Sequence, residues 1–397
     1  MRIAIVTPLF PTSEEPYRGN AIYETAKALQ KHAEVQVVCP LLTYPDWIRF
    51  RPRSFRYNRI NKHYQPGEIP THYIEYPALP VVTRPLNGTT CTRYITPVLR
   101  KLHPDIILAY WIYPEGLGAV KAGNALGIPV ITGSRGSDLH GNRDPFSSAR
   151  VKQVLDGADF VITVSEALRR TAIERGADPK RVRTIQNGCD GEIFQHGSRS
   201  EARTELGIAQ DTELVLFNGW IAPLKGIWDL LEAVRRLAPS HPKLEVACIG
   251  EGDTEREWRA AIENARLYDR FRLLRRRKPP EIARWLAASN VLCLPSHTEG
   301  CPNAVVEALS CGRAIVAANV GGIPELVSPE SAILVSPHKP DELADALELG
   351  LRRQWDEQSI ATRSRRSWQE VAQETFEVCV DVAGAGRRKS LQASFQE

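Results

Sequence analysis

Across 397 residues the chain has no apolar run approaching the roughly 18–20 residues that a helix needs to cross a bilayer. Its opening, MRIAIVTPLF, is too short for a secretory leader and lacks a small-residue cleavage site, so it reads as a first buried strand. The eight cysteines (Cys39, Cys91, Cys189, Cys248, Cys293, Cys301, Cys311 and Cys379) show no CxxC or other zinc-type spacing. Several stand in apolar runs, so reduced core thiols and a cytosolic setting are expected. No GxxxxGK[ST] occurs, which excludes a Walker A loop. The glycine turn Ile249–Asp253 (IGEGD) runs on into Thr254 and Glu255, so it lacks GxGxxG and a nicotinamide dehydrogenase loses its main support. No recognised nucleic-acid module surrounds the basic residues.

What is present is a globular composition, 43% apolar and 25% charged, in a chain long enough for two domains of nearly 200 residues. The net charge of +4 is unevenly spread. Up to Asp190 there are 25 Lys/Arg against 17 Asp/Glu (25 − 17 = +8), and beyond it 26 against 30 (26 − 30 = −4). A basic first half suits an anionic partner. Arg49–Lys62 (RFRPRSFRYNRINK) concentrates six of the positive charges among Phe50, Phe55 and Tyr57. It reads either as a surface touching anionic lipid head groups or as a solvated basic insertion.

The opening order is strand (2–7), turn-rich loop (8–19), amphipathic helix Asn20–Lys31 and strand Val35–Cys39, which starts a doubly wound parallel sheet. His72–Glu75, Ile106–Tyr110, Val130–Thr132 and Phe160–Val164 read as later strands. A hinge is expected near Asn187–Arg203, after which the pattern restarts with strand Leu214–Phe217, loop Asn218–Gly226 and helix Ile227–Leu237. Glu245–Ile249, Arg272–Leu274, Val291–Leu294, Ala314–Ala317 and Ala332–Val335 complete a second set. The expected fold is α/β: two doubly wound Rossmann-like domains, 1–190 and 191–365, facing each other across a cleft. A helix over 366–383 is expected to return to the first domain, and 384–397 to fray. Ligands of such sheets lie outside the carboxyl ends of the strands.

Ser296–Val327 is the densest stretch. Strand Val291–Leu294 delivers the chain to Glu299; Pro302 suits a first helical turn, and Gly312 a helix stop. Glu299 in the loop and Glu307 in the helix then flank free backbone N–H groups at a positive helix end, a place for an anion such as a sugar diphosphate. Two carboxylates on one loop–helix unit grip one ligand at two points, whereas glycoside hydrolase carboxylates flank a bond from opposite sides. Lys225 in NGWIAPLKG (218–226) supplies a cation between strand and helix. Gly133–His140 (GSRGSDLH) places Arg135, Asp138 and His140 after a first-domain strand, where Asp138 either meets substrate or caps a helix.

These residues resemble glycosyltransferase family 4, retaining enzymes of GT-B fold. The pattern EG…EA…G…V…GG.PE is met by Glu299–Gly300, Glu307–Ala308, Gly312, Val316, Gly321–Gly322 and Pro324–Glu325. Asn187–Asp190 with Phe194, Gly219 with Lys225–Gly226, and Gly250–Gly252 support it. The resemblance implies catalytic-side roles for Glu299, Asp138 and Arg135, with Glu299 near the reacting sugar carbon and Glu307 on the ribose. It implies diphosphate contacts from Lys225 and the N–H groups around Asn303, Ala304 and Val305, with Gly19, Asn20, Gly219, Gly250, Cys301 and Pro302 lining the donor. It implies a UDP- or GDP-sugar as substrate, neither metal nor other cofactor, and a lipid-linked or surface glycan acceptor. Trp220 stands where the family usually has an arginine, and Arg135 where it often has a histidine; Asp138 matches its aspartate, while His140 does not match its histidine. A nucleotide-sugar epimerase of the same fold and a glycan phosphorylase are the competing readings. The second would usually need a pyridoxal cofactor, which no lysine here announces.

Overall fold

The computed structural model describes residues 1–45, 60–79, 82–140 and 145–394. Most of the basic run Arg49–Lys62 therefore lies outside the described residues; its last member, Lys62, pairs with Glu75 at 2.7 Å. The chain divides into two compact units, Met1–Gln186 with Trp368–Glu397, and Asn187–Ser367.

The first unit is built on seven strands: β1 (Arg2–Val6), β2 (Glu34–Thr43), β3 (Thr71–Pro77), β4 (Ile106–Tyr110), β5 (Val130–Ser134), β6 (Phe160–Thr163) and β7 (Val182–Thr184). They pair in parallel in the order β3-β2-β1-β4-β5-β6-β7. Central strands covered on both faces must be apolar throughout, and Ile106–Ala109 are wholly buried. Ile3 pairs with Ile106 and Ile5 with Leu108, which places the reversal of strand order between β1 and β4.

One face of this sheet is covered by the helix Asn20–Leu29 and by the last helix, Trp368–Ser394. Trp368, Val371, Ala372, Val378 and Cys379 join Ile3, Ile5, Val37 and Leu108 in one apolar cluster. The final helix is assigned as far as Ser394.

The second unit holds β8 (Glu213–Asn218), β9 (Leu244–Ile249), β10 (Phe271–Leu274), β11 (Val291–Leu294), β12 (Ala314–Ala318) and β13 (Ala332–Val335). These strands are also all parallel, in the order β10-β9-β8-β11-β12-β13. The order reverses between β8 and β11, where the two connections leave on opposite faces and open a crevice at the strand ends. The loop after β8 carries Lys225 and the loop after β11 carries Glu299. All eight cysteines are buried free thiols. No helix among the described residues is long and apolar enough to cross a membrane.

Candidate active site

The loop after β8 is pinned to its neighbour before it reaches the lysine. Gly219 N–H donates to the Ile249 carbonyl at 3.0 Å and Ile221 N–H to Glu251 at 3.0 Å. Gly250 makes that approach possible: a Cβ there would stand 1.9 Å from the Gly219 carbonyl oxygen. The loop ends in a single turn, Pro223–Lys225, closed by Gly226 at φ 67°. Gly226 presses on the other loop, since a Cβ on it would fall 1.9 Å from the Pro295 carbonyl oxygen. His297 N–H then donates to the Leu224 carbonyl at 2.9 Å. The two loops on either side of the switch point are thereby held together by backbone, and Lys225 Nζ reaches Glu299 Oε1 at 2.5 Å.

Glu299 is only 9% exposed, so its charge needs a partner, and Lys225 is that partner. Behind it, Gly322 N–H donates to the Gly300 carbonyl at 3.0 Å, which fastens the glycine turn after β12 to the same loop. Cys301 and Pro302 are buried, and the helix Asn303–Ser310 follows. The Pro302 carbonyl accepts from Val305 N–H at 3.1 Å, so Val305 is already satisfied within the first turn. The N–H groups of Asn303 and Ala304 have no partner among the described residues and form the positive end of the helix.

Asn187 holds this helix end in place. Its side-chain amide donates to the Cys301 carbonyl at 2.9 Å and to Asn303 Oδ1 at 2.8 Å, although it lies 114 residues earlier in the chain than Cys301. Cys189 Sγ lies 3.0 Å from Ser310 Oγ at the other end. One turn into the helix, Glu307 is half-buried among Val305, Val306, Ala308 and Leu309. Among the described residues no donor or cation meets its side chain, and burial pushes its carboxyl up to about 7. A carboxylate so placed has acceptor capacity to give to a ligand's hydroxyl groups.

The first-domain candidates lie at the carboxyl ends of β1 and β5 in their own unit. Gly19, in left-handed backbone at φ 62°, begins the helix Asn20–Leu29, and Ile22 N–H donates to its carbonyl at 2.8 Å. Asp138, read from sequence as meeting substrate or capping a helix, is turned inward at 1% exposure. It accepts from Ser134 Oγ (2.9 Å), Gly136 N–H (2.9 Å), Arg135 N–H (3.2 Å) and Ile112 N–H (3.3 Å). Burial raises its carboxyl above the ordinary range and these donors oppose the rise. These bonds tie the β4 and β5 loops together. Arg135 stays half-buried, its guanidinium 4.6 Å from the centroid of the Tyr110 ring. The His140 side chain lies outside the described residues.

Sequence reading missed two buried groups. Asn187 entered only as a motif position, and its long-range bonds have no local signal. Glu115, in the loop after β4, is 2% exposed, accepts from Tyr76 Oη at 3.0 Å and has no partner for Oε2. A glutamate inside the apolar stretch YWIYPEGLGA was the available signal.

Two open parallel sheets, with a cation, a helix end and two carboxylates at the second switch point, define a glycosyltransferase of GT-B type. The chain belongs to the group 1 glycosyl transferases: that family matches residues 198–374, and a glycosyl transferase 4-like domain matches residues 19–188. A protein of Bacillus subtilis strain 168, named as the teichuronic acid biosynthesis glycosyltransferase TuaC, is 27% identical over 87% of this chain and 88% of its own length. D-inositol 3-phosphate glycosyltransferase 2 of Catenulispora acidiphila is 31% identical over 71% of this chain and 72% of its own length. Among solved structures, Anabaena Alr3699/HepE in complex with UDP has a TM-score of 0.73, covers 96% of this chain and 100% of that one, and is 20% identical.

Proposed function

We propose that the protein is a retaining hexosyltransferase that takes its sugar from a nucleotide-diphosphate donor. The observation that carries this reading is the Lys225–Glu299 pair at 2.5 Å beside the unpartnered N–H groups of Asn303 and Ala304. A donor diphosphate would place its charge on Lys225 and on that helix end, and Glu299 would turn its oxygens to the sugar hydroxyls. Glu307, with no partner of its own, would accept from the ribose hydroxyls. Complexes of the HepE fold relative with UDP and with UDP-glucose support a uridine nucleotide as the first donor to try.

Breaking the sugar–diphosphate bond develops negative charge on the leaving oxygen and positive charge on the anomeric carbon. Fixed donors at the helix end and Lys225 stabilise that oxygen without reorganising, so a metal is not required for the step. Retention follows the family's chemistry, with the donor's β-phosphate oxygen as base for the acceptor hydroxyl. On the acceptor side Arg135 is the cation held in place by the Asp138 loop. The similarity to TuaC and the basic first half favour an anionic lipid-linked or surface glycan as acceptor, with Arg49–Lys62 as a peripheral contact for an anionic membrane.

The test is incubation with a panel of UDP- and GDP-sugars, with and without lipid extract, scored for free nucleotide and for the anomeric configuration of the product. Transfer with retention only when extract is present supports the reading. Turnover of donor without any acceptor would indicate an epimerase, and turnover that needs inorganic phosphate a phosphorylase.

A further inference from the structure

Asp229, His297 and His338 form a cluster of nitrogen and oxygen ligands that the donor chemistry does not use. One carboxylate oxygen of Asp229 and one ring nitrogen of each histidine lie within 4.8 Å of one another. The three come from separate elements: Asp229 from the helix Ile227–Leu237, His297 from the loop after β11, and His338 from the loop after β13. Asp229 Oδ2 is 2.8 Å from His297 Nε2, and the two imidazole centroids are 3.6 Å apart with their planes at 36°.

A neutral imidazole offers one ring-nitrogen lone pair to a metal ion, and a carboxylate offers oxygen lone pairs. Two imidazole nitrogens and one carboxylate oxygen suit borderline divalent transition metals such as zinc, whereas calcium and magnesium take oxygen ligands. The side chains of Asp229 and His297 are 18% and 17% exposed and therefore held. His338 is exposed, and its ligand nitrogen already lies within 4.8 Å of the other two ligand atoms. Three ligands on one side would leave the remaining positions to water.

We propose that Asp229, His297 and His338 bind a divalent transition-metal ion of the zinc class. Asp229 follows Lys225 by four residues and His297 precedes Glu299 by two, so the ion would clasp the lysine loop to the glutamate loop. It is assigned no part in bond breaking, and the proposal stands independently of the donor reading.

The experiment uses the full chain without an affinity tag, stripped with chelator and titrated with Co²⁺, whose visible absorption reports nitrogen and oxygen ligation, followed by displacement with Zn²⁺. One Co²⁺ per chain is expected, displaced by one Zn²⁺ and unaffected by an equal concentration of Mg²⁺. His338→Ala, at an exposed position, and Asp229→Asn, which keeps the side-chain shape, should each weaken Co²⁺ binding at least about tenfold. Absence of saturable binding at one ion per chain, or wild-type affinity in both variants, would overturn the site and leave a metal-free Asp–His hydrogen bond beside a second imidazole. Equal competition by Mg²⁺ would overturn the assignment to the zinc class.

Discussion

Lys225 Nζ stands 2.5 Å from Glu299 Oε1, so the cation assigned to the donor diphosphate already has a carboxylate partner before any ligand arrives. The pair keeps a nearly buried carboxylate neutralised across the switch point of the second sheet. Stability and catalysis should therefore separate. Lys225→Ala is expected to lower kcat/KM by about 30- to 1,000-fold, the effect of losing one leaving-group donor at about 2–4 kcal/mol. It should also lower Tm, because Glu299 is left uncompensated. Adding Glu299→Gln should restore Tm without restoring activity, and the coupling is read from the double-mutant cycle. Activity of Lys225→Ala within threefold of wild type would end the assignment.

Glu307 should make donor binding depend on pH. Its carboxyl titrates near 7 in the free protein, and hydroxyl donation from a ligand favours the charged form. Affinity for UDP-glucose, whose diphosphate does not titrate in this range, should then be full above pH 7. It should fall about tenfold between pH 8 and pH 6 as the carboxylate takes up its proton. Calorimetry of wild type and Glu307→Gln at both values is the check. The variant should bind weakly and without the pH slope, and a slope retained in the variant would remove Glu307 from the ribose.

Asn187→Ala removes the side-chain bonds to the Cys301 carbonyl and to Asn303 Oδ1 that seat the helix end. A stability loss of about 1–3 kcal/mol is expected. Donor Kd should rise in parallel, because the N–H groups of Asn303 and Ala304 lose their fixed direction. Denaturant midpoints and UDP titrations measure the two effects. Unchanged donor affinity would assign Asn187 to folding alone.

Glu115 offers a test of stability against pH in the first unit. Burial raises its carboxyl from 4.5 to about 7, so the native state holds a proton there that the unfolded chain has lost. The cost of charging it is absent below about pH 4.5 and complete above about pH 7, so stability drains away as pH rises through that window. Glu115→Gln keeps an acceptor for Tyr76 and should add about 2–3 kcal/mol at pH 8 while adding little at pH 4.5. Unfolding curves at the two values decide it, and an equal gain at both would contradict the cause given.

Much of the fold was readable because buried parallel strands are apolar on both faces. Ile106–Tyr110, Val291–Leu294 and Ala332–Val335 appear in the structure with the bounds the sequence suggested. The edge strand Val182–Thr184 escaped because it is short, with an exposed arginine in the middle. On the site, the loop–helix with Glu299 and Glu307 was legible from local spacing and helix chemistry. Pairing was not: Lys225 and Glu299 are 74 residues apart, and nothing local tells a lysine that meets a carboxylate from one that meets solvent. Direction was not legible either, since Asp138 could face ligand or core until its oxygens were seen to be taken by Ser134 and three backbone N–H groups. The Asp229–His297–His338 cluster draws one residue from a helix and one from each of two loops, and leaves no spacing to find.

The chain leaves the first unit after Gln186 and re-enters it at Trp368, and these two passages run side by side, with Cys189 N–H bonded to the Arg366 carbonyl at 2.9 Å. The second unit is therefore a continuous segment whose two ends meet, like a cassette set into a loop. Deletion from the C-terminus therefore strips Trp368, Val371 and Cys379 from the core of the first unit before it reaches any residue of the second. A nonsense mutation near the end of the gene would thus break the core of the first unit and leave the whole sequence of the second in place.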